Sequence, residues 1–225
     1  MIQLKKKVTE DWQNAFPELA VYSQNKFYKI VGPTIIGLEL VKLPRTEDYR
    51  PYFICYPLWK QNIKTCLDNP IIIKEFNNKK GMLFSIPYAK HTAFFSDVLS
   101  EVKKQIPIPF EGDVSLKKLF STIDEYSKTS YLSAAPNSYL QAVLQESKLA
   151  LALCTSNDDQ VRSILSHIQK SNWDVAHFAM WKVDVSQWLN QLQKMVENRE
   201  ELIFKVKQNK QEKKLEKLHH SKLEA

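Results

Sequence analysis

Apolar and polar positions alternate along residues 27–59 in a pattern that is typical of short antiparallel strands. The runs are rich in aromatic and β-branched residues, and Gly32-Pro33 and a polar loop separate them. The run over 50–58 is apolar on both faces, which indicates a central strand covered on both sides. A loop that ends at Gly81 predicts a hairpin between two further runs. The five predicted strands cover about 26–31, 34–43, 50–58, 71–76 and 82–88.

On either side of this region, apolar residues recur at the spacing of an amphipathic helix. Leu4, Val8, Trp12 and Phe16 predict a first helix over 2–16, which Pro17 ends. Later helices are predicted over about 92–105, 114–127, 137–154, 157–169, 173–181 and from 184 or 186 to about 218. Candidate N-caps are Asp113 or Ser115, Asn157 or Asp158, and Asp184 or Ser186. The apolar stripe fades after about residue 206, so the tail is expected to be a solvated helix or to fray.

These elements predict an α+β fold. An N-terminal helix comes first, then a roughly five-stranded, mostly antiparallel sheet, and then a helical C-terminal half that ends in a long helix. The chain divides into a helix-and-sheet region, 1–106, and a helical region, 107–225, expected to pack as one unit. If there is a boundary, the extended Ile-Pro-Ile-Pro-Phe-Glu-Gly segment at 106–112 is its place.

Charge changes this picture in one respect. The net charge is +7, and residues 1–110 hold 16 basic against 10 acidic residues, whereas residues 111–225 hold 16 against 15. The basic excess therefore lies on the sheet half, which favours a polyanionic partner such as nucleic acid. Only four of the 32 basic residues are arginines, however, and a lysine-rich surface is often simply well solvated.

Location and redox state follow from what the chain lacks. Three cysteines, an odd number without Cys-x-x-Cys spacing, fit a reducing compartment. No apolar run approaches the roughly 18 residues of a membrane span, and no apolar segment follows the first basic residues as in a secretory signal. The expectation is a cytoplasmic protein that does not enter a membrane.

Common catalytic and cofactor motifs are also absent. The four glycines form no dinucleotide-binding or phosphate-binding loop, and no nucleophile elbow is present. Cysteine and histidine spacings match no zinc site, so we predict neither a metal nor a cofactor. Catalytic residues cannot be assigned, and the absence of motifs favours a non-enzymatic protein.

The sheet carries the first candidate site. Glu39 lies in mid-strand among apolar neighbours, and Arg50, Tyr52 and Tyr56 follow on the next strand. A carboxylate among tyrosines and an arginine is suited to binding a polar ligand or partner. Alternatively, Glu39 is a charge on the solvent face of an edge strand, where it prevents association with other strands.

The second candidate is helical. Trp173, His177 and Trp181 recur at intervals of four, which places them on one face of a helix. His177 and Trp181 are candidates for gripping a ligand or moving a proton. The alternative is an ordinary packing face, because no acidic or cysteine partner accompanies the histidine at helical spacing.

Three hypotheses of function follow. The leading one is an intracellular, non-enzymatic module that binds another protein. The second is a nucleic-acid-binding protein that uses the basic, tyrosine-rich half, with bases stacked on aromatic side chains. The third is an enzyme whose site is assembled only in the fold. The oligomeric state is left open.

Overall fold

The computed structural model describes residues 2–225, and it confirms the predicted fold class. An N-terminal helix precedes a mostly antiparallel sheet, and the C-terminal half is helical. The helices are α1 (Ile2–Ala15), α2 (Ile63–Asp68), α3 (His91–Gln105), α4 (Leu116–Ser127), α5 (Ser130–Ser133), α6 (Tyr139–Cys154), α7 (Asp158–Lys170), α8 (Val175–Met180), α9 (Val185–Glu197) and α10 (Arg199–Lys210). The strands are β1 (Ala20–Ser23), β2 (Lys26–Val31), β3 (Thr34–Lys42), β4 (Asp48–Pro57), β5 (Ile72–Glu75), β6 (Ile86–Pro87), β7 (Val114–Ser115), β8 (His219–Ser221) and β9 (Leu223–Glu224).

Local side-chain chemistry sets where several helices begin. The side chains of Ser115, Asn157 and Asp184 accept hydrogen bonds from main-chain N–H groups in the first turns of α4, α7 and α9. Each therefore satisfies a donor that the helix itself leaves without a partner. In each of the three pairs of candidate caps, one member is the cap.

The sheet runs in the order β1-β2-β3-β4-β5, and these neighbours are all antiparallel. Two short strands extend its margins. β6 pairs with the start of β4 beyond β5, and β8 pairs in parallel with the end of β2 beyond β1. One side of β2 is therefore paired with β1 and β8, and one side of β4 is paired with β5 and β6. β5 is an edge strand of the sheet.

The register divides the sheet into two faces. The α1 face, defined by Lys29, Tyr49 and Phe53, packs against the aromatic residues of α1 and of the extended segment near 110. Phe53 stacks on Phe110 with ring centroids 6.2 Å apart, and Lys29 donates hydrogen bonds to main-chain oxygens at Phe110 (2.6 Å) and Gly112 (3.1 Å). The segment proposed as a boundary is therefore attached directly to the sheet.

The opposite face, defined by Tyr28, Glu39 and Tyr52, is buried over most of its area. The side chains of Ile30, Ile35 and Ile54 are at most 2% exposed. Helix α10 is held at one end of this face because Asn209 donates hydrogen bonds to the main-chain oxygens of Leu58 and Lys60, each 2.8 Å long. The prediction that the strand over 50–58 is covered on both sides is confirmed from Phe53 to Leu58, whereas Arg50 and Tyr52 are half-buried.

Two details differ from expectation. The predicted strand over 82–88 is reduced to β6. The Arg50 side chain donates a hydrogen bond to the Phe84 main-chain oxygen, and Asn77 and Leu83 form only an isolated bridge. The last helical stretch is two helices, α9 and α10, that meet at Asn198. The tail is neither a solvated helix nor frayed. Buried Leu215 and Leu218 anchor it, β8 pairs with β2, and β9 pairs in parallel with β7 in a second, two-stranded sheet.

A buried chain of hydrogen bonds ties α1, α3 and β4 together on the α1 face. The Trp12 indole N–H donates to the Tyr49 hydroxyl (3.2 Å), which contacts His91 Nδ1 (2.7 Å), and His91 Nε2 contacts the Asp11 carboxylate (3.0 Å). If Tyr49 donates to Nδ1, Nε2 carries the proton, and every group in the chain has a partner. Sequence patterns did not indicate this arrangement, because its members are 80 residues apart.

We expect His91 to make the protein less stable in mild acid. Burial lowers the pKa of His91 below its ordinary 6.5, and the Asp11 carboxylate only partly opposes this shift. Because the unfolded chain binds the proton more readily, stability is present above about pH 6.5 and falls as the pH drops below it. Denaturant unfolding of wild-type protein, His91→Gln and the exposed-site control His167→Gln, at about pH 7.5 and about pH 5.5, measures the effect. The pH-dependent loss should shrink only in His91→Gln; equal losses in all three proteins would contradict this assignment.

Candidate functional site

The six residues predicted to form a site lie in three places. Glu39 and Tyr56 belong to one buried cluster, and Arg50 and Tyr52 belong to a second, beside the edge of the sheet. These two clusters share the opposite face, where Glu39 and Tyr52 are direct partners across β3 and β4. The pair His177 and Trp181 lies apart, at α8.

Glu39 is a partly buried carboxylate with three hydrogen-bond donors. Its Oε1 accepts hydrogen bonds from the Tyr28 hydroxyl, from the Tyr56 hydroxyl (2.9 Å) and from Lys26 Nζ (3.1 Å). Burial, followed by the Glu39 charge, raises the pKa of both tyrosines well above 10, so each stays a neutral donor. Three donors on one oxygen stabilise the charge, and the cluster therefore joins β2, β3 and β4.

Arg50 and Tyr52 converge on Glu75 of β5. Arg50 donates through Nη1 to Glu75 Oε1 (2.8 Å), and the Tyr52 hydroxyl donates to the same oxygen (3.0 Å). Arg50 also donates through Nε to the Phe84 main-chain oxygen at 2.6 Å. Two of the guanidinium nitrogens thus hold β5 and the loop after it against β4. Glu75 was missed in the sequence, since its role depends on the β4–β5 register.

The helix predicted over 173–181 is the shorter α8, so Trp173 and Trp181 flank it, and the group forms a packing site with an exposed end. Trp173 is buried, its ring centroid 5.4 Å from that of Trp188. His177 Nδ1 accepts the Tyr139 main-chain N–H at 3.2 Å, which anchors α8 to the start of α6. Trp181 is 51% exposed and rests against Tyr139. These contacts match the alternative of ordinary packing.

A groove of about 830 Å³ opens between β5 and the helices α4 and α5. The exposed apolar side chains at its walls are Ile73, Leu83 and Tyr131, which are 41 to 58% exposed. The lining residues are Tyr52, Ile72, Ile73, Lys74, Glu75, Asn77, Leu83, Pro107, Thr122, Glu125, Tyr126, Thr129, Ser130 and Tyr131. Its volume lies within the range of ligand sites in proteins. We call it the β5 groove.

The outer edge of β5 faces this groove. The Leu58 N–H donates to Pro33, and the Leu43 N–H donates to Asp48, so alternate residues of β4, including Tyr52, bond toward β3. The main-chain groups of the intervening β4 residues point toward β5, and Phe53 pairs there with Lys74. By the same alternation, the main-chain groups of Ile73 and Glu75 point away from the sheet. Within residues 2–225, β5 pairs with no strand except β4.

The Gln105 side chain already pairs with Asn77, the next residue after Ile73 and Glu75 whose main chain points outward from the sheet. Gln105 Nε2 donates to the Asn77 main-chain oxygen (2.7 Å), and the Asn77 N–H donates to Gln105 Oε1 (3.0 Å). This reciprocal pair of hydrogen bonds is the one that a neighbouring peptide unit makes in an antiparallel ladder. The carboxamide thus caps the sheet edge at Asn77. In the described part of the chain, Ile73 and Glu75 have no main-chain partner across this edge, and the Tyr126 hydroxyl lies beside the Ile73 main chain.

Polar groups of the groove are mostly held in place. Lys74 Nζ donates to the Gln105 main-chain oxygen (2.7 Å), and burial lowers its pKa, which the Glu125 charge partly opposes. Tyr131 donates to the Tyr126 hydroxyl. Burial raises the pKa of Tyr126, while the Ile73 main chain beside its hydroxyl has the opposite effect. Tyr126 is therefore a neutral donor near neutral pH, and Lys74 is held in place by its main-chain partner.

Metal and thiol chemistry receive no support from the described residues. Residues 2–225 contain no group of three or more His, Cys, Asp or Glu side chains arranged to hold a metal ion. Cys55 and Cys66 are buried, and burial raises the pKa of Cys55 to about 12, so it is not a thiolate nucleophile at neutral pH. None of the described helices is both long and apolar enough to span a bilayer.

Comparison of the chain with protein-family models, with curated proteins and with solved structures found no match.

Proposed function

We propose that this protein is a protein-binding module that takes an extended segment of a partner as an added strand along β5. The observation that carries the proposal is the outward-facing main chain of Ile73 and Glu75 within the β5 groove. An added strand would pair with these groups, taking the place of the Tyr126 hydroxyl beside Ile73, and the groove offers apolar contact for alternate side chains of the partner.

The groove also favours an extended peptide over a compact ligand. It is an open trough beside a strand edge, and exposed apolar side chains such as Ile73 and Leu83 lie at its walls. The Gln105 carboxamide makes the same two hydrogen bonds to Asn77 that a residue of an added strand would make, which supports the idea that this edge can pair with another strand. An unprotected strand edge is otherwise a liability, because it invites uncontrolled association.

The two other hypotheses have less support. Tyr28, Tyr49 and Tyr56 are at most 6% exposed, so the tyrosines of the sheet do not offer an open stacking platform for bases. Glu39 and Arg50 belong to separate hydrogen-bonded clusters, and the His177 ring is bonded to the Tyr139 main chain, which gives no support to an active site built from either. Nucleic-acid binding by the basic surface remains a prediction.

We expect the substitution Ile73→Lys to weaken peptide binding at least about tenfold. Peptides are first selected against wild-type protein from a random library, and their affinities are then measured by calorimetry. Ile73 is 44% exposed at the edge, where a lysine opposes strand addition.

The matched control is Val41→Lys, because Val41 has the same face and is 41% exposed but lies outside the groove. It should bind the selected peptides as wild type does. Equal affinities for both variants, or failure to select any peptide, would contradict the proposal.

A further inference from the structure

A second cavity, of about 250 Å³, lies where four parts of the chain meet. It is formed by the turn between β2 and β3, the end of α6, the face of α10 and the C-terminal tail. The lining residues are Gly32, Pro33, Cys154, Thr155, Ile203, Val206, Lys207, Lys210 and Leu223. It shares none of these residues with the β5 groove.

The cavity has an apolar wall. Pro33, Ile203, Val206 and Leu223 supply aliphatic surface, and Val206 is 7% exposed. Leu223 is held close to the turn: a Cβ added to Gly32 would lie 2.5 Å from the Leu223 Cβ. Any larger residue at 32 would therefore displace this wall.

The other side of the cavity is cationic. Lys207 and Lys210 line it, and none of its lining residues is acidic. Within the described part of the chain, no ion pair involves Lys210. Burial lowers the pKa of Lys210, which Cys154 partly opposes, and the positive charge of Lys210 adds to the lowering of the pKa of His220 by burial. Burial raises the pKa of the Cys154 thiol to about 12, so it is neutral near pH 7 and supplies no counter-charge. A partly desolvated ammonium without a counter-charge is costly, and an anionic ligand would remove that cost.

We propose that this cavity binds a small carboxylate with an apolar body, its carboxylate held by Lys210 and its body resting on Pro33, Val206 and Leu223. The cavity should bind such a ligand more tightly than a simple anion, because inorganic phosphate has no apolar surface to contact the aliphatic wall. Lys207, which is exposed, adds long-range attraction at the mouth.

Hexanoate is the probe, and its binding is followed by the NMR shifts of residues around the cavity. We expect saturable binding with a Kd on the order of 1 mM or tighter. Hexanamide, which lacks the charge, and inorganic phosphate, which lacks the chain, should each bind at least about tenfold more weakly. Lys210→Met should lose at least about tenfold in hexanoate affinity, whereas Lys170→Met, at an exposed site on α7, should not.

A measurement on wild-type protein covers the case in which Lys210→Met does not fold. Saturating hexanoate should raise the pKa of Lys210, followed by the shift of its isotope-labelled side chain, because an adjacent anion stabilises the ammonium. Three results would overturn the proposal: no saturation by hexanoate, affinity for phosphate equal to that for hexanoate, or an unchanged Lys210 pKa at saturation.

Discussion

Replacing Trp12 with alanine is expected to lower the free energy of unfolding by about 3–5 kcal/mol. Trp12 is 1% exposed, and its ring packs against Phe16 and Phe95 with centroid distances of 6.0 and 5.4 Å. Its indole N–H also donates to Tyr49, so the substitution removes a donor as well as a large apolar volume. Because the side chain bridges α1, α3 and β4, little of the resulting cavity is expected to collapse.

Trp181→Ala is the control for this effect. Trp181 is 51% exposed, and its loss should cost less than about 1 kcal/mol. Urea unfolding followed by circular dichroism compares the two variants without relying on tryptophan fluorescence. Similar stabilities for the two variants would mean that α1 is not an integral part of the core.

Gly37→Ala should destabilise the sheet by about 3 kcal/mol, at the upper end of the usual cost of overpacking. Gly37 lies in the middle of β3, and a Cβ there would come 1.9 Å from the Phe27 main-chain oxygen and 3.0 Å from the Tyr28 Cα. These are main-chain atoms of β2, so relief requires the two central strands to separate. The glycine is needed for this close approach and not for a left-handed conformation.

Val41→Ala, on the same strand and face but 41% exposed, is the control and should change stability by less than about 1 kcal/mol. The same urea experiment measures both. A Gly37→Ala protein as stable as Val41→Ala would show that β2 and β3 are not held at this separation.

Periodicity predicted the parts of this fold whose signals are long. β2, β3 and β4 span six to ten residues, and the strands predicted over 26–31, 34–43 and 50–58 match their bounds to within two residues. β1, β8 and β9 were missed because runs of two to four residues carry no readable period and depend on the edge that receives them.

The candidate site was the harder part to foresee. Tyr52 was identified, but the groove beside it also needs Ile73, Tyr126 and Tyr131, which come together only through the β4–β5 register and the placement of α4. Nothing in the local sequence marks Gln105 as a cap for the strand edge. The buried contact between Asp11 and His91 was invisible for the same reason, since sequence spacing says nothing about long-range pairing.

Hydrogen exchange at the edge of β5 tests the central claim most directly. In a complex with a selected peptide, the amide hydrogens of Ile73 and Glu75 should become protected, because an added strand would satisfy the outward main-chain groups. Those of β1, the edge strand at the other side of the sheet, should exchange as they do in the free protein. Protection at β1 instead, or unchanged exchange at Ile73 and Glu75 under saturating peptide, would contradict the account.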